Sequence, residues 1–123
     1  MTIAEAIARV DAVKPNAFDD AEKIRWLSAL DGTIHREIVE THESGEAVFS
    51  GYNENTDPMT ALCVPFPYDI LYLRYLEMQI DYANEDYTKY NNSASVFNEA
   101  YSSFERYYNR KHLPFGRKLK LFS

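Results

Sequence analysis

From residue 73 to residue 108 the chain sets down an apolar position every three or four residues: Leu73, Leu76, Ile80, Ala83, Tyr87, Tyr90, Ala94, Phe97, Tyr101, Phe104 and Tyr108. At 3.6 residues per turn these positions share one stripe of a helix, and a stripe that long needs a partner helix along its full length. Two arrangements meet the need. One is a single helix of about 43 residues, roughly 65 Å long at 1.5 Å per residue. The other is a pair of helices broken or bent near Asn91-Asn92-Ser93, where each side chain competes for backbone hydrogen bonds. The broken form closes a small core more readily, because the second half folds back on the first.

Two further helices precede the seam. Thr2 and Glu5 form a capping box ahead of the stripe Ile3, Ile7 and Val10, so a helix is expected over 3–13, ended by Lys14-Pro15-Asn16. A second is expected over 20–41, with Asp19 as N-cap, Glu22 three residues on, and an apolar face of Ile24, Leu27, Leu30, Ile34 and Ile38 widened by Trp26. Gly32 inside it marks a kink or a close helix crossing. Residues 43–66 carry Gly45, Gly51, Asn53, Asn55, Asp57, Pro58 and Pro65 and lose the helical pattern. Ala47-Val48-Phe49-Ser50 and Ala61-Leu62-Cys63-Val64 are candidates for a short hairpin, which needs another surface to lie on. The third helix is expected to start near Pro67, with Asp69 in its first turn. After His112, Leu113-Pro114-Phe115-Gly116 stops the helical pattern. The fold class is therefore mainly α: a bundle of about four helices over residues 1–112, a long loop or short β-hairpin at 43–66, and an extended basic tail over 113–123.

The net charge of −6 is unevenly spread. Residues 1–109 hold eight Lys/Arg against nineteen Asp/Glu, whereas 110–123 hold Arg110, Lys111, Arg117, Lys118 and Lys120 with no acid. An acidic body argues against broad nucleic-acid binding, which needs phosphates neutralised. The apolar runs are too short for a membrane-spanning helix and the opening residues do not form a signal peptide, so a cytoplasmic protein without a membrane partner is expected. Cys63, the only cysteine, sits in an apolar stretch and reads as a buried, inert thiol.

No pattern for chemistry stands out. Asp31 and His35 are four apart on the second helix and lack a second pair of metal ligands; His42 and His112 are isolated. Glu77, Asp81 and Glu85 make an acidic row at helical spacing followed by Lys89, which reads first as a solvated face. The glycines are scattered and no serine has the setting of a nucleophile elbow. No catalytic residues, metal site or cofactor are assigned, and the chain is not read as an enzyme. Nine of the ten tyrosines fall between Tyr68 and Tyr108. Tyr72, Tyr75, Tyr82 and Tyr107 lie off the seam, and four such rings are hard to bury in one small chain, so they are expected at subunit contacts.

The opening Thr2-Ile3-Ala4-Glu5-Ala6-Ile7-Ala8-Arg9-Val10-Asp11, the block Lys23-Ile24-Arg25-Trp26-Leu27-Ser28-Ala29-Leu30-Asp31, the run from Tyr68-Asp69 to Tyr82-Ala83-Asn84 and the ending Tyr107-Tyr108-Asn109-Arg110 together resemble the small head–tail connector proteins of tailed bacteriophages and prophages of Gram-positive hosts. The resemblance covers most of the chain as a general pattern. It implies a ring of copies, often about twelve, beneath the portal protein. Such a ring extends the DNA channel without binding DNA specifically and recruits a neck, stopper or tail-completion protein. It implies residence at the head–tail interface of the virion, and in the host cytoplasm during assembly. Leu113, Phe115, Arg117, Lys118, Lys120, Leu121 and Phe122 would then dock the portal or tail, and Glu77, Asp81 and Glu85 would face the channel, where an acidic wall repels phosphate. The rival reading is a small acidic regulatory or inhibitor module acting as a monomer or dimer.

Overall fold

The computed structural model describes residues 1–39 and 49–111. The described residues form four α-helices: α1 (Ile3–Val13), α2 (Asp20–Ile34), α3 (Ile70–Ala83) and α4 (Tyr87–Lys111). The mainly helical bundle expected from the sequence is what forms. α2 passes at its end into a π-helical turn, His35–Val39.

The local signals explain most of the boundaries. The Thr2 hydroxyl accepts from the Glu5 amide while the Glu5 carboxylate takes the Thr2 amide, so two orphan donors at the start of α1 are satisfied together. Asp19 accepts from the Glu22 amide at 2.9 Å and starts α2. Asn16 organises the corner between these helices: its amide donates to Asp11 and to the Lys14 carbonyl, and its carbonyl oxygen accepts from the Phe18 amide.

α3 is the central helix. One side of it meets α1 and α2, and the other meets α4, which packs principally on α3. Ile3, Ala6, Ile7 and Val10 of α1, Leu27, Leu30 and Ile34 of α2, and Leu71, Leu73, Leu76 and Ile80 of α3 build the core, closed by Leu62 and Val64 from the loop and by Phe97 and Phe104 from α4.

The seam is broken, but at residues 84–86 and not at Asn91-Asn92-Ser93. The Glu85 amide donates to the Tyr82 carbonyl and the Asp86 amide to the Asp81 carbonyl, both at 3.0 Å, with Glu85 at φ 58°. This is a Schellman ending with a glutamate in the left-handed position that glycine ordinarily fills. Asp86 then caps α4, accepting from the Lys89 amide. Asn91, Asn92 and Ser93 stay helical inside α4.

Once folded back, the aromatic side chains meet as a ladder. Tyr82 lies against Tyr90, Tyr75 against Phe97 and Tyr68 against Phe104, with ring centroids 5.3, 5.2 and 6.5 Å apart. Each rung is seven residues farther from the turn in both directions, so a heptad on one arm reads a heptad on the other.

The region before α3 is irregular, with turns at 53–56, 57–60 and 65–68. The expected hairpin does not form among the described residues. Ala47 and Val48 lie outside the described residues, and Phe49 and Ser50 are not in a strand. The N-terminus takes the backbone groups instead: Thr2 and Ala61 form an isolated antiparallel bridge, the Ile3 amide donates to the Thr60 carbonyl, and the Leu62 amide donates to the Met1 carbonyl. Pro67 follows a cis peptide bond and precedes α3 by three residues, so it is not the first helical residue; Asp69 is the N-cap and accepts an ion pair from the Met1 amino group at 3.1 Å. Gly32 faces the Phe49 ring, not another helix.

Candidate interaction surfaces

Among the described residues three charged side chains are buried and organise the polar interior, and no local pattern in the sequence marks them as buried. Lys23, 2% exposed, donates to the Asp11 carboxylate at 2.7 Å and to the Phe18 carbonyl at 2.8 Å, locking α1 to α2. Burial alone would raise the Asp11 pKa; the hydrogen bonds from Lys23 and Asn16 outweigh it and hold the carboxyl below its ordinary value.

Asp31, fully buried, accepts from the Tyr72 hydroxyl, the Tyr52 hydroxyl and the Cys63 amide. Tyr72 in turn accepts from the Val64 amide at 2.8 Å. One carboxylate thus ties α2, α3 and the loop together. Burial, followed by the Asp31 charge and hydrogen bond, raises both tyrosine hydroxyls well above the usual phenol range; for Tyr52 the hydrogen bond comes before the charge. Cys63 is exposed as a residue, contrary to the expected buried thiol. Partial desolvation of its sulfur and the Asp31 charge push the thiol up to about 12. His35 does not converge with Asp31; its ring stacks on Phe49.

Asp81 makes the third node. It accepts from Lys14 and from the Ser93 hydroxyl, both at 2.7 Å, and so joins the end of α1 to α3 and α4. Around it lie two adjoining surface cavities of about 300 and 330 Å³ that share Lys14, Asp81 and Lys89. Their charges are matched: Lys14 with Asp81, Arg74 with Glu77 at 2.9 Å, and Lys89 with Asp86 at 3.7 Å. A charged ligand entering here would have to displace an existing pair.

These facts revise two expectations. The acidic row Glu77, Asp81 and Glu85 is not a solvent-facing wall: Asp81 is 4% exposed and spent on Lys14 and Ser93, Glu77 is half-buried against Arg74, and Glu85 stands at the turn. Tyr72 cannot meet a neighbouring subunit, because it is fully buried with its hydroxyl on Asp31. Tyr75 and Tyr107 are half-buried within this chain, on Phe97 and on Tyr68 (centroids 4.5 Å apart). Tyr82 stays 56% exposed and forms an edge contact with Tyr87, also 56% exposed, making an aromatic patch at the tip of the α3–α4 hairpin. Among the described residues, the other large apolar side chains in solvent are Val13, Met59, Phe66 and Val96. The expected docking residues Leu113, Phe115, Arg117, Lys118, Lys120, Leu121 and Phe122 lie outside the described residues.

Among the described residues, no group of three or more His, Cys, Asp or Glu is placed to hold a metal ion, and no helix is long and apolar enough to cross a membrane. No protein-family model, curated protein or solved structure matches the chain.

Proposed function

We propose that this protein works by assembly, as a structural subunit of the head–tail connector of a tailed bacteriophage. In this reading copies form a ring beneath the portal protein, residues 113–123 dock the portal, and a neck or tail-completion protein binds the opposite side. The resemblance in the sequence names the class of assembly. The observation that supports a subunit role is the Tyr82–Tyr87 pair, held more than half exposed at the end of a stiff two-helix arm. Exposed aromatic rings on a rigid support lose little conformational entropy on docking, which is the property of an interface anchor. The buried polar groups described above serve packing, since each is engaged by partners within the chain.

The test is electron microscopy of the purified protein mixed with its portal. Ring density on the portal is the expected result. Removal of 113–123 should abolish that density with an unchanged helical circular-dichroism spectrum, and Tyr82→Ala with Tyr87→Ala should weaken it. A protein that ignores the portal and sediments as a monomer or dimer would overturn the reading in favour of a small acidic binding module.

A further inference from the structure

One large side chain stands apart from all the others. Phe66 is 84% exposed, the most exposed large apolar residue described. It sits between Pro65 and Pro67 in a turn closed by the Tyr68 amide donating to the Pro65 carbonyl at 2.9 Å. Proline on both sides restricts the backbone, so the ring is presented with little freedom to lose on burial.

The same chain carries an apolar hole elsewhere on its surface. A pocket of about 300 Å³ opens between α1 and α2, at the small end of the range that accepts ligand-sized groups. Ile3, Ala4, Ile7, Ala8, Ile24 and Pro58 line it, Ile3 and Ile7 being buried beneath the surface. Phe66 does not line it.

The charges around knob and hole differ in sign. Phe66 lies two residues from Tyr68, whose ring stacks on Tyr107; the Lys111 amine sits 6.0 Å above the Tyr107 ring, and Arg106 and Arg110 are exposed on the same end of α4, with Glu105 beside them. The rim of the pocket carries the exposed Asp20; Asp11, also on the rim, is already paired with Lys23. Copies of a predominantly acidic chain repel one another in most orientations, and bringing the basic end of one to the acidic rim of the next is an orientation that attracts.

We propose that Phe66 of one copy seats in the α1–α2 pocket of a second copy, in a head-to-tail contact. Knob and hole are different patches, so each copy keeps one of each free after the first contact and the association propagates. The contact specifies the subunit interface of the proposed ring, and it rests on that reading for its closure into one.

The contact can be trapped without a stable oligomer. Full-length protein carrying p-benzoylphenylalanine at position 66, which keeps an aromatic ring there, is mixed with 15N-labelled wild-type chain and irradiated, and the cross-links to labelled peptides are counted by mass spectrometry. Cross-links to the exposed side of α4 around Glu99 are the control. Positions 66 and 99 are both exposed, so the probe leaves the core intact. The expected yield at Ala4, Ala8 and Ile24 of the labelled copy is about tenfold above the control, the scale set by seating one apolar ring. Equal yields, or cross-links chiefly to the segment around residue 66 of the second copy, would overturn the contact. Electron microscopy of Phe66→Asp with portal separates the two proposals. Portal rings formed as well as by the wild type would leave the connector reading standing and remove this contact. Specific cross-links to the pocket together with no portal binding by the wild type would keep the contact and remove the connector.

Discussion

Removing the Asp31 carboxylate should unfold much of the stability of this small domain, and the structure sets the scale. Three donors point at a side chain with no exposure: the Tyr72 and Tyr52 hydroxyls and the Cys63 amide. Hydrogen bonds to a charged group contribute about 1.5–3 kcal/mol each, and stripping one partner from a buried network leaves the others unpaired. For Asp31→Ala a loss of about 3–5 kcal/mol is expected, against a total of about 5–15 kcal/mol for a domain of this kind. Tyr72→Phe removes one donor to Asp31 and also strands the buried Val64 amide, so about 3 kcal/mol is expected from that single oxygen. Urea denaturation followed by circular dichroism and by Trp26 fluorescence measures both, provided the slope m is unchanged. Because the two residues share a bond, the double variant should lose less than the sum of the singles, with a coupling of about 1–3 kcal/mol. A loss below about 1 kcal/mol for Asp31→Ala, or strictly additive losses, would refute the assignment of this carboxylate as the node joining α2, α3 and the loop.

Glu85→Gly should raise the urea midpoint, a gain of about 0.5–1 kcal/mol, because relief of the left-handed conformation outweighs glycine's extra freedom in the unfolded chain; a lower midpoint would sink that account. Cys63 should alkylate with iodoacetamide at neutral pH about tenfold or more slowly in the folded protein than in urea despite its exposure, since its thiol is held at about 12, and Asp31→Asn should speed the reaction. Asp11 has a folded pKa below its unfolded value, so its contribution is present above the ordinary carboxylate range and is lost as pH falls through the depressed folded value. Asp11→Asn should therefore lower stability at neutral pH, and acid titration should show the gap to the wild type closing below about pH 4.

The caps were legible because they are local. Thr2 with Glu5, and Asp19 with Glu22, carry their partners three residues away, and the helices begin where those signals stand. The turn between α3 and α4 was displaced by seven residues because its signal is silent. A glutamate in a left-handed position looks like any glutamate, while Ser93, which reads as a helix breaker, is held in α4 by a hydrogen bond to Asp81 from twelve residues away. Tyr72 was misplaced because α3 is packed upon by α1, α2 and α4, so a ring that falls off the seam still finds a buried partner, here Asp31 of α2. Lys23, Asp31 and Asp81 have the composition of surface residues, and their burial follows from partners that only the tertiary fold supplies. Of the candidate surfaces, Tyr82 was legible. Phe66 was not, because an aromatic between two prolines is unremarkable until the ring is seen to have nothing over it.

The aromatic ladder gives the two arms of the hairpin a shared reading frame. Its rungs recur at seven residues on each side of the turn, so deleting one residue from either arm would rotate everything beyond it by about 100° around the helix axis. Tyr68 would then lose Phe104, and the slip would grow no smaller toward the far end. Length variation in this half of the protein is thus confined to whole heptads added to both arms at once, or to the region ahead of Pro65.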